Sequence, residues 1–263
     1  MGNRDVEVDD RLGKNEFKTV LITGGTGLVA SAQVRYLIKH GWRVVITYRD
    51  EEKFVKLKGT TGLLGISTPD LLRSGTVKAI VEELCSRGLY PDCLINNACD
   101  LRWHKIEPDG HVSEECFVNQ YRINVVVPYE LSWQLLNVKG SRLRKIINVS
   151  SMYGIVPHNP QLYSHPETET PLQYSLSKSA LIHLTKDLAI RFRDRGVIVN
   201  TVSYGGIEGR ADDEFKKRFA IVTPLRRMMT PEETIPAIEF LLNENSGYMT
   251  GQNIVVDGGR TVW

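Results

Sequence analysis

Two residues four positions apart could carry acid–base chemistry. Tyr174 and Lys178 share one face of a helix, because residues four apart are neighbours there. A free tyrosine has a pKa of about 10 and is a poor proton donor or acceptor at neutral pH. An ammonium group about 5 Å away stabilises the phenolate by roughly 3 kcal/mol at an effective dielectric of about 20. The pair could therefore tune a tyrosine for general acid–base catalysis, although the same spacing also occurs on helix surfaces without a function.

Two further polar positions could support this pair. Ser150 and Ser151 follow an apolar strand, where a hydroxyl could hold a substrate oxygen or could simply cap the turn. Asn124 lies inside a predicted helix, although asparagine is a mediocre helix former. A buried asparagine needs hydrogen-bond partners, and this one could hold a water molecule that relays a proton to Lys178.

A glycine-rich turn joins the first predicted strand to the first predicted helix. It reads Thr-Gly-Gly-Thr-Gly-Leu-Val-Ala over residues 23–30. Glycines let the backbone approach a diphosphate closely, and the helix that follows offers free N–H groups and the positive end of its dipole. Such glycines also serve simple tight turns, but the strand–turn–helix context near the N-terminus favours a dinucleotide site.

The end of the second strand bears on the choice of cofactor. Tyr48 stands where an acidic residue would accept hydrogen bonds from the ribose hydroxyls, and Arg49 follows it. Because a guanidinium group suits a phosphate, Arg49 favours NADP(H) over NAD(H). The alternative is a solvated Arg49 with Asp50 as the ribose acceptor.

Apolar runs alternate with helical patterns along the chain. Strands are predicted at 19–23, 43–48, 63–67, 92–96, 145–149, 197–202 and 253–256. Helices are predicted at 28–40, 76–87, 113–136, 172–194 and 231–242, and Pro128 could kink the third of them. The strands are apolar throughout, as in a parallel sheet that is buried on both faces. We predict an α/β fold: a doubly wound, Rossmann-type parallel sheet of about seven strands with helices on both faces, formed by one domain over 17–263 after a flexible tail at 1–16.

Composition narrows the possible partners. The 263 residues include 33 Lys+Arg and 31 Asp+Glu, so a net charge of +2 gives no reason to expect nucleic acid or a membrane surface. No apolar run approaches the ~20 residues of a membrane-spanning helix. The four scattered cysteines show no metal-binding spacing and are expected to be reduced thiols, so we expect a cytoplasmic protein without a metal site.

Several motifs occur in a fixed order from residue 19 to the C-terminus. They are the glycine-rich turn, Asn96-Asn97-Ala98, Asn124, Ser151-x-x-Gly154, Tyr174-x-x-x-Lys178, Asn200-x-Val202-Ser203-x-Gly205-Gly206-Ile207, and stretches at 223–228, 230–233 and 248–259. In these motifs the chain resembles the short-chain dehydrogenase/reductase family. Family membership implies a nicotinamide-dependent oxidoreductase that acts on a carbonyl/alcohol pair.

The resemblance also implies a role for each matching position. Tyr174 would transfer the proton at the substrate oxygen, Lys178 would bind the nicotinamide ribose and lower the pKa of Tyr174, Ser151 would hold the substrate oxygen, and Asn124 would hold the relay water. The implied cofactor contacts are Gly24, Gly25, Thr26, Gly27, Leu28, Val29, Arg49, Asp70, Leu71, Asn97, Ala98, Tyr174, Lys178, Gly205 and Ile207. The long helices at 113–136 and 172–194 pair between subunits in this family, which implies a homodimer or homotetramer.

Several positions depart from the family pattern. Leu28 and Ala30 stand in place of glycines, as in a Thr-Gly-Gly-x-Gly variant of the turn, and Cys99 replaces the glycine after Asn-Asn-Ala. Tyr204 replaces a proline, so the loop against the nicotinamide could have another shape. The threonine two residues after Ile207 is absent, which removes one cofactor contact.

The stretch between the catalytic Ser151 and Tyr174 is longer than usual in the family. Residues 153–171 contain four prolines and no periodicity, so we expect an ordered loop over the mouth of the site. Its His, Tyr, Asn and Glu side chains would suit a polyhydroxylated substrate, or the loop could be a solvated lid without contacts. The chain resembles oxidoreductases of bacterial surface-sugar and flagellin-glycan biosynthesis, which implies a sugar or sugar-nucleotide substrate; the alternative is a 3-oxoacyl thioester.

Overall fold

The structure is a computed structural model, and it describes residues 18–59, 62–68 and 70–263. The tail predicted at 1–16 lies outside these residues. Seven parallel strands form one sheet in the order β3-β2-β1-β4-β5-β6-β7. They are β1 (Thr19–Ile22), β2 (Arg43–Tyr48), β3 (Leu63–Ser67), β4 (Cys93–Asn96), β5 (Lys145–Ser151), β6 (Ile198–Tyr204) and β7 (Asn253–Val256). The predicted doubly wound parallel sheet is therefore confirmed.

The α-helices of the described residues are α1 (Leu28–Lys39), α2 (Glu51–Lys58), α3 (Thr76–Ser86), α4 (Glu114–Tyr121), α5 (Val127–Asn137), α6 (Pro166–Glu169), α7 (Leu172–Arg191), α8 (Asp213–Ile221) and α9 (Ile235–Leu242). Apolar residues of α1 and α9 pack on one face of the sheet. Those of α3, α5 and α7 pack on the other. The central strands are thereby buried on both faces, which explains their unbroken apolar sequences.

The helix predicted at 113–136 is interrupted. After α4, the segment Arg122–Val126 forms a π-helical turn, and α5 begins at Val127. Pro128 lacks the N–H that an α-helix would donate to the carbonyl of Asn124, and the π turn ends immediately before this gap. Such turns frequently lie at functional sites, and this one contains Asn124.

Two helices longer than a single turn, α2 and α8, were not predicted from the sequence. In α2, the carboxylate of Asp50 caps the helix by accepting the N–H of Lys53. In α8, Asp212 caps in the same way through the N–H of Phe215. Each helix also carries two acidic residues in its first turn, whose charges interact favourably with the helix dipole. An acidic N-cap followed by these residues was the sequence signal that could have indicated both helices.

The stretch 153–171, predicted to contain no regular element, includes the single-turn helix α6 and the 3-10 turn Pro160–Leu162. Prolines begin both turns, where their missing N–H costs nothing. None of the helices in the described ranges is long and apolar enough to cross a membrane.

Candidate active site

A cavity of about 500 Å³ opens at the carboxyl ends of the strands. The strand order reverses between β1 and β4, which is where open α/β sheets bind their ligands. The predicted residues that line the cavity are Gly24, Thr26, Gly27, Leu28, Val29, Arg49, Asp70, Leu71, Asn97, Ala98, Ser151, Tyr174, Lys178, Gly205 and Ile207. Of the predicted site residues, Gly25 and Asn124 lie outside this lining.

The glycine-rich turn is shaped by two close approaches. Gly24 has a φ of +65°, and a side chain there would come within 3.1 Å of the Cα of Ala98. A Cβ on Gly25 would lie 2.4 Å from the Cβ of Ile46, so Gly25 serves the packing of the turn on β2 rather than the cavity. The turn is tied to Thr47, whose hydroxyl accepts the N–H of Gly24 at 3.0 Å.

The same turn leaves hydrogen-bond donors free for an anion. Gly27 precedes α1 and has no side chain to cap it, and the first turn contains no acidic residue. The first N–H groups of a helix have no partner within the helix, and here they face the cavity. The turn therefore fits a dinucleotide diphosphate.

Asn97 braces this region by joining β4 to β1. Its side-chain amide donates to the carbonyl of Thr23 at 3.1 Å, and its backbone N–H donates to the Thr23 hydroxyl at 3.0 Å. Asp70 and Leu71 line the cavity beside it. These positions form the end of the cavity where adenosine is expected, called the adenosine end below.

At the adenosine end, Arg49 is already paired. Its guanidinium donates to the carboxylate of Asp100 at 2.8 Å, and Arg102 reaches the same oxygen at 2.6 Å. Burial opposes ionisation of Asp100, but the hydrogen bonds of Arg102 and the charge of Arg49 hold its pKa below the ordinary value. The Arg49 side chain is nevertheless 49% exposed, so the solvated Arg49 considered from the sequence stays an alternative to the NADP(H) prediction. Asp100 was not among the predicted site residues. It follows Cys99, which stands in place of the family's glycine, and no motif indicated that its carboxylate would pair with Arg49.

The other candidate ribose acceptor, Asp50, is also engaged. Its carboxylate caps α2 and forms an ion pair with Lys53 at 3.0 Å. Tyr48 is buried and its ring stacks on Phe54 at 4.1 Å. Tyr48 therefore serves the packing of β2, whereas Asp50 lines the cavity and stays the alternative ribose acceptor.

At the other end of the cavity, here the catalytic end, the sheet and α7 bring Ser151, Tyr174 and Lys178 together. Ser151 is the last residue of β5, and Tyr174 and Lys178 lie one turn apart on α7. The Lys178 ammonium group donates to the carbonyl of Val149 at 2.7 Å and lies 5.8 Å from the centre of the Tyr174 ring. An ammonium group has three donors, so two remain for a ligand.

The charge balance of this pair differs from the expectation. Burial raises the pKa of Tyr174 above its ordinary value, and the hydroxyl of Ser151 only partly offsets this. Burial also lowers the pKa of Lys178. The lowered tyrosine pKa predicted from spacing is therefore wrong, because burial dominates the shift and the Lys178 ammonium group is not among the groups that offset it.

Asn124 contacts the catalytic helix through a different residue from the one predicted. Its side-chain amide donates to the hydroxyl of Ser177 at 2.9 Å, and that hydroxyl donates to the carbonyl of Tyr174 at 2.8 Å. The carbonyl oxygen of the Asn124 side chain is buried and has no partner among the described residues. A water molecule on that oxygen would satisfy it, so the relay stays a prediction.

Three further residues line the catalytic end and are not among the predicted site residues: Cys99, His104 and Arg210. The His104 ring lies 4.7 Å from that of Tyr174, and its Nε2 is 3.9 Å from the Cys99 sulfur. Burial lowers the pKa of His104 to about 4, helped by the positive charges of Lys178, His158 and Arg210. His104 is therefore neutral at physiological pH.

The loop that precedes Tyr174, expected over the mouth of the site, packs against α8 and not over the cavity. None of its described residues lines the cavity. Tyr153 stacks on His158 at 3.8 Å and its hydroxyl lies 2.8 Å from that of Tyr163. Tyr163 in turn packs on Phe215 of α8. The polar side chains of this loop are thus used to hold the loop in place.

The strand β6 leads into a loop that closes the catalytic end. Tyr204 is buried and donates to the carbonyl of Thr234 at 2.7 Å. Ile207 forms a bridge with Met229 through the groups of its neighbours Gly206 and Glu208. Its own N–H and C=O have no partner among the described residues, which fits the predicted contact with a carboxamide.

Comparison with known proteins agrees with this geometry. A family model described as enoyl-(acyl carrier protein) reductase matches residues 28–261. The chain is 31% identical to a 3-oxoacyl-[acyl-carrier-protein] reductase of Rickettsia conorii, over 92% of this chain and 96% of that protein. The chain belongs to the short-chain dehydrogenase/reductase family.

Two other relatives have different descriptions. A glucose 1-dehydrogenase of Gluconobacter oxydans is 29% identical, over 94% of this chain and 92% of that protein. The crystal structure of a short-chain dehydrogenase from Leptospira borgpetersenii with bound NAD+ superposes with a TM-score of 0.81 at 29% identity, over 94% of this chain and 93% of that one. As a member of this family, the protein is an NAD(P)-dependent oxidoreductase.

Proposed function

We propose that the protein interconverts a ketone and a secondary alcohol, with Tyr174 as the acid–base residue. The observation that carries this proposal is the convergence of Ser151, Tyr174 and Lys178 at one end of a cavity that the glycine-rich turn also lines. A bound nicotinamide cofactor would supply or accept the hydride. In the reductive direction, Ser151 and Tyr174 hold the substrate oxygen, and the Tyr174 hydroxyl gives it a proton. The Lys178 ammonium group stabilises the phenolate that remains.

For the substrate we propose a sugar or sugar-nucleotide derivative, as in the biosynthesis of bacterial surface glycans. The catalytic end supports this proposal because Ser151, His104 and Arg210 offer polar groups to a hydroxylated substrate. The relative described as a glucose 1-dehydrogenase also supports it.

A second candidate is the reduction of 3-oxoacyl thioesters. It is favoured by relatives described as 3-oxoacyl-[acyl-carrier-protein] reductases, which are 28–32% identical to this chain. These two substrates need the same acid–base residues, so the site chemistry does not separate them.

A turnover screen separates the two candidates. Keto-sugars, keto-sugar nucleotides and 3-oxoacyl thioesters would be offered with NADPH and with NADH, and cofactor oxidation followed at 340 nm. We expect turnover of at least one keto-sugar. Activity on the thioesters alone would replace the sugar proposal with the second candidate.

We propose NADP(H) as the preferred cofactor, since Arg49 and Arg102 both line the adenosine end and share one carboxylate, that of Asp100. Replacing Arg49 with alanine should raise the KM for NADPH at least tenfold and leave that for NADH unchanged, because only NADPH carries the 2′-phosphate. Lys56→Ala, in the exposed part of α2, is the control. A lower KM for NADH in the unaltered protein would contradict this preference.

We also propose that residues 17–263 form one catalytic domain of a cytoplasmic homodimer or homotetramer. α4 and α7 lie side by side and expose a set of large apolar side chains, here called the α4/α7 face: Val118, Tyr121, Leu172 and Leu176. Exposed apolar patches of this kind mark protein–protein contacts.

A further inference from the structure

The charged side chains that line the cavity are distributed unevenly. At the adenosine end, Asp100 is paired with both Arg49 and Arg102. Arg102 also reaches Asp70 at 3.4 Å, and Asp50 is paired with Lys53. The carboxylates among the lining residues are Asp50, Asp70 and Asp100. Every described carboxylate of the lining therefore has a cation beside it at this end.

The catalytic end carries positive charge without a carboxylate. Its two cations in the described lining are Lys178 and Arg210. Lys178 has the carbonyl of Val149 as a partner. Within the described ranges, no hydrogen bond or ion pair engages the Arg210 side chain, although its charge lowers the pKa of His104.

The backbone before Arg210 explains how this side chain comes to lie at the cavity. Gly209 has a φ of +113°, which favours glycine, and a Cβ there would lie 3.2 Å from the side chain of Leu28 at the start of α1. The loop therefore crosses close to the glycine-rich turn and carries Arg210 to the lining shared with Tyr174, His104 and Cys99. A guanidinium group that is enclosed by bound ligands needs an anion or several acceptors as partners.

We propose that Arg210 binds an anionic group of the substrate, a carboxylate or a phosphate attached close to the carbon that is oxidised or reduced. This inference rests on the proposed function, because it names the substrate class of the same site. The planar donor fork of arginine matches both anions with two hydrogen bonds. The excess positive charge at the catalytic end attracts the anion, and the contact holds the reacting carbon at a fixed distance from Tyr174.

The diphosphate of the cofactor is the other anion in reach of this loop. The glycine-rich turn and the first N–H groups of α1 already provide donors for it. Arg210 also lines the cavity with Cys99 and His104, which lie on the substrate side next to Tyr174. If Arg210 contacts the cofactor, its replacement weakens the binding of NADPH. If it contacts the substrate, its replacement weakens the binding of the anionic substrate.

The test uses matched pairs of ligands that differ in one charge. D-Gluconate and D-gluconamide carry the same hydroxyl groups. Each would be titrated into the complex of the full-length protein with NADPH. No turnover occurs during the titration, because an alcohol cannot be oxidised by a reduced cofactor. We expect gluconate to bind ten- to a hundredfold more tightly than gluconamide, the range of a charge-assisted hydrogen bond. Arg210→Met should reduce this ratio to about one, and Arg210→Lys should retain part of it.

Two controls locate the effect. Lys216→Met removes one positive charge from α8, outside the cavity lining, and should keep the wild-type ratio. The Kd of NADPH should change less than twofold in Arg210→Met. A weakened NADPH complex with an unchanged ratio would assign Arg210 to the cofactor diphosphate and overturn the proposal, as would equal binding of both ligands or binding of neither.

Turnover separates this inference from the function on which it rests. The reduction of 3-oxobutanoate and of its ethyl ester would be compared in the wild type and in Arg210→Met. The role of Arg210 is supported if the KM for 3-oxobutanoate is lower than that for the ester in the wild type and this difference is absent in Arg210→Met. Turnover that favours the ester would overturn the anion proposal and leave the ketone reductase intact. If neither of these compounds nor any compound of the substrate screen is turned over, the proposed function fails, and the binding ratio still decides the role of Arg210.

Discussion

The Tyr174 hydroxyl and the Lys178 ammonium group are both buried at the carboxyl end of β5, and burial moves their pKa values in opposite directions. Tyr174 thus holds its proton at neutral pH, as a donor to a ketone should. The sequence identified these residues by spacing and by motif. It could not supply the balance between attraction and desolvation, because that balance depends on how much solvent the fold removes.

Replacing Tyr174 with phenylalanine should lower kcat by a factor of about 10² to 10⁴, the usual contribution of general acid–base catalysis. The Kd of NADPH, measured by its fluorescence, should stay within about threefold, since the ring and its contact with His104 remain. Steady-state rates with the best substrate of the screen provide the measurement. Unchanged cofactor oxidation in this variant would contradict the assigned role and point to another proton donor.

At the scale of elements, the bounds of strands with clear apolar runs and of helices with clear apolar periodicity were predicted closely. β2, β3 and β7 have the bounds that the sequence indicated, and α1 ends one residue earlier than expected. Pro128 indicated a possible kink near the π turn Arg122–Val126, but the hydrogen bond from Asn124 to Ser177 on another helix was not predictable from local sequence. The position of the loop before Tyr174 depends likewise on its contact with α8, which periodicity does not reveal.

The glycine-rich turn offers a test at this scale. Gly25→Ala would place a methyl group 2.4 Å from the Cβ of Ile46, which cannot move away without shifting β2. We expect a loss of about 1–3 kcal/mol in the free energy of unfolding, the usual cost of overpacking, measured by urea denaturation. Gly59→Ala, where a Cβ meets no atom within 4 Å, is the matched control. Equal stabilities of the two variants would show that the turn does not pack on β2 as described.

At the scale of the whole molecule, the sheet separates two apolar layers and its carboxyl edge carries the cavity. The sequence predicted this arrangement because buried parallel strands and the order of motifs constrain it strongly. It did not predict which side chains neutralise one another at that edge. Arg49 and Asp100 are 51 positions apart, and their contact at 2.8 Å follows only from the strand order, in which β1 lies between β2 and β4.

The α4/α7 face makes the proposed assembly testable. Leu176 is 55% exposed on α7, and Leu176→Glu would place a charge in the proposed contact, which is costly without a partner. We expect light scattering after gel filtration to show a dimer or tetramer for the wild type and a smaller species for this variant. Leu225→Glu alters a residue that is 64% exposed elsewhere on the molecule and serves as the control. A wild-type monomer would contradict the assembly.

Two partly buried histidines should make the stability of the molecule depend on pH. Burial lowers the pKa values of His104 and His158 to about 4, from 6.5 in the unfolded chain. Between these values the unfolded chain binds more protons than the folded protein, so stability falls as the pH is lowered from 6.5 towards 4. At about pH 5, His104 should account for a loss of up to roughly 2 kcal/mol relative to neutral pH, and the more exposed His158 for less, because solvent screens it.

The measurement is the free energy of unfolding in urea at about pH 7 and at about pH 5, a range that lies above the titration of ordinary carboxylates. The double variant His104→Phe/His158→Phe keeps the ring contacts with Tyr174 and Tyr153 and should lose most of the difference between the two pH values. His111→Gln replaces an exposed histidine and should keep that difference. A pH dependence that survives in the double variant would mean that other groups take up the protons and that these two rings are not held neutral by burial.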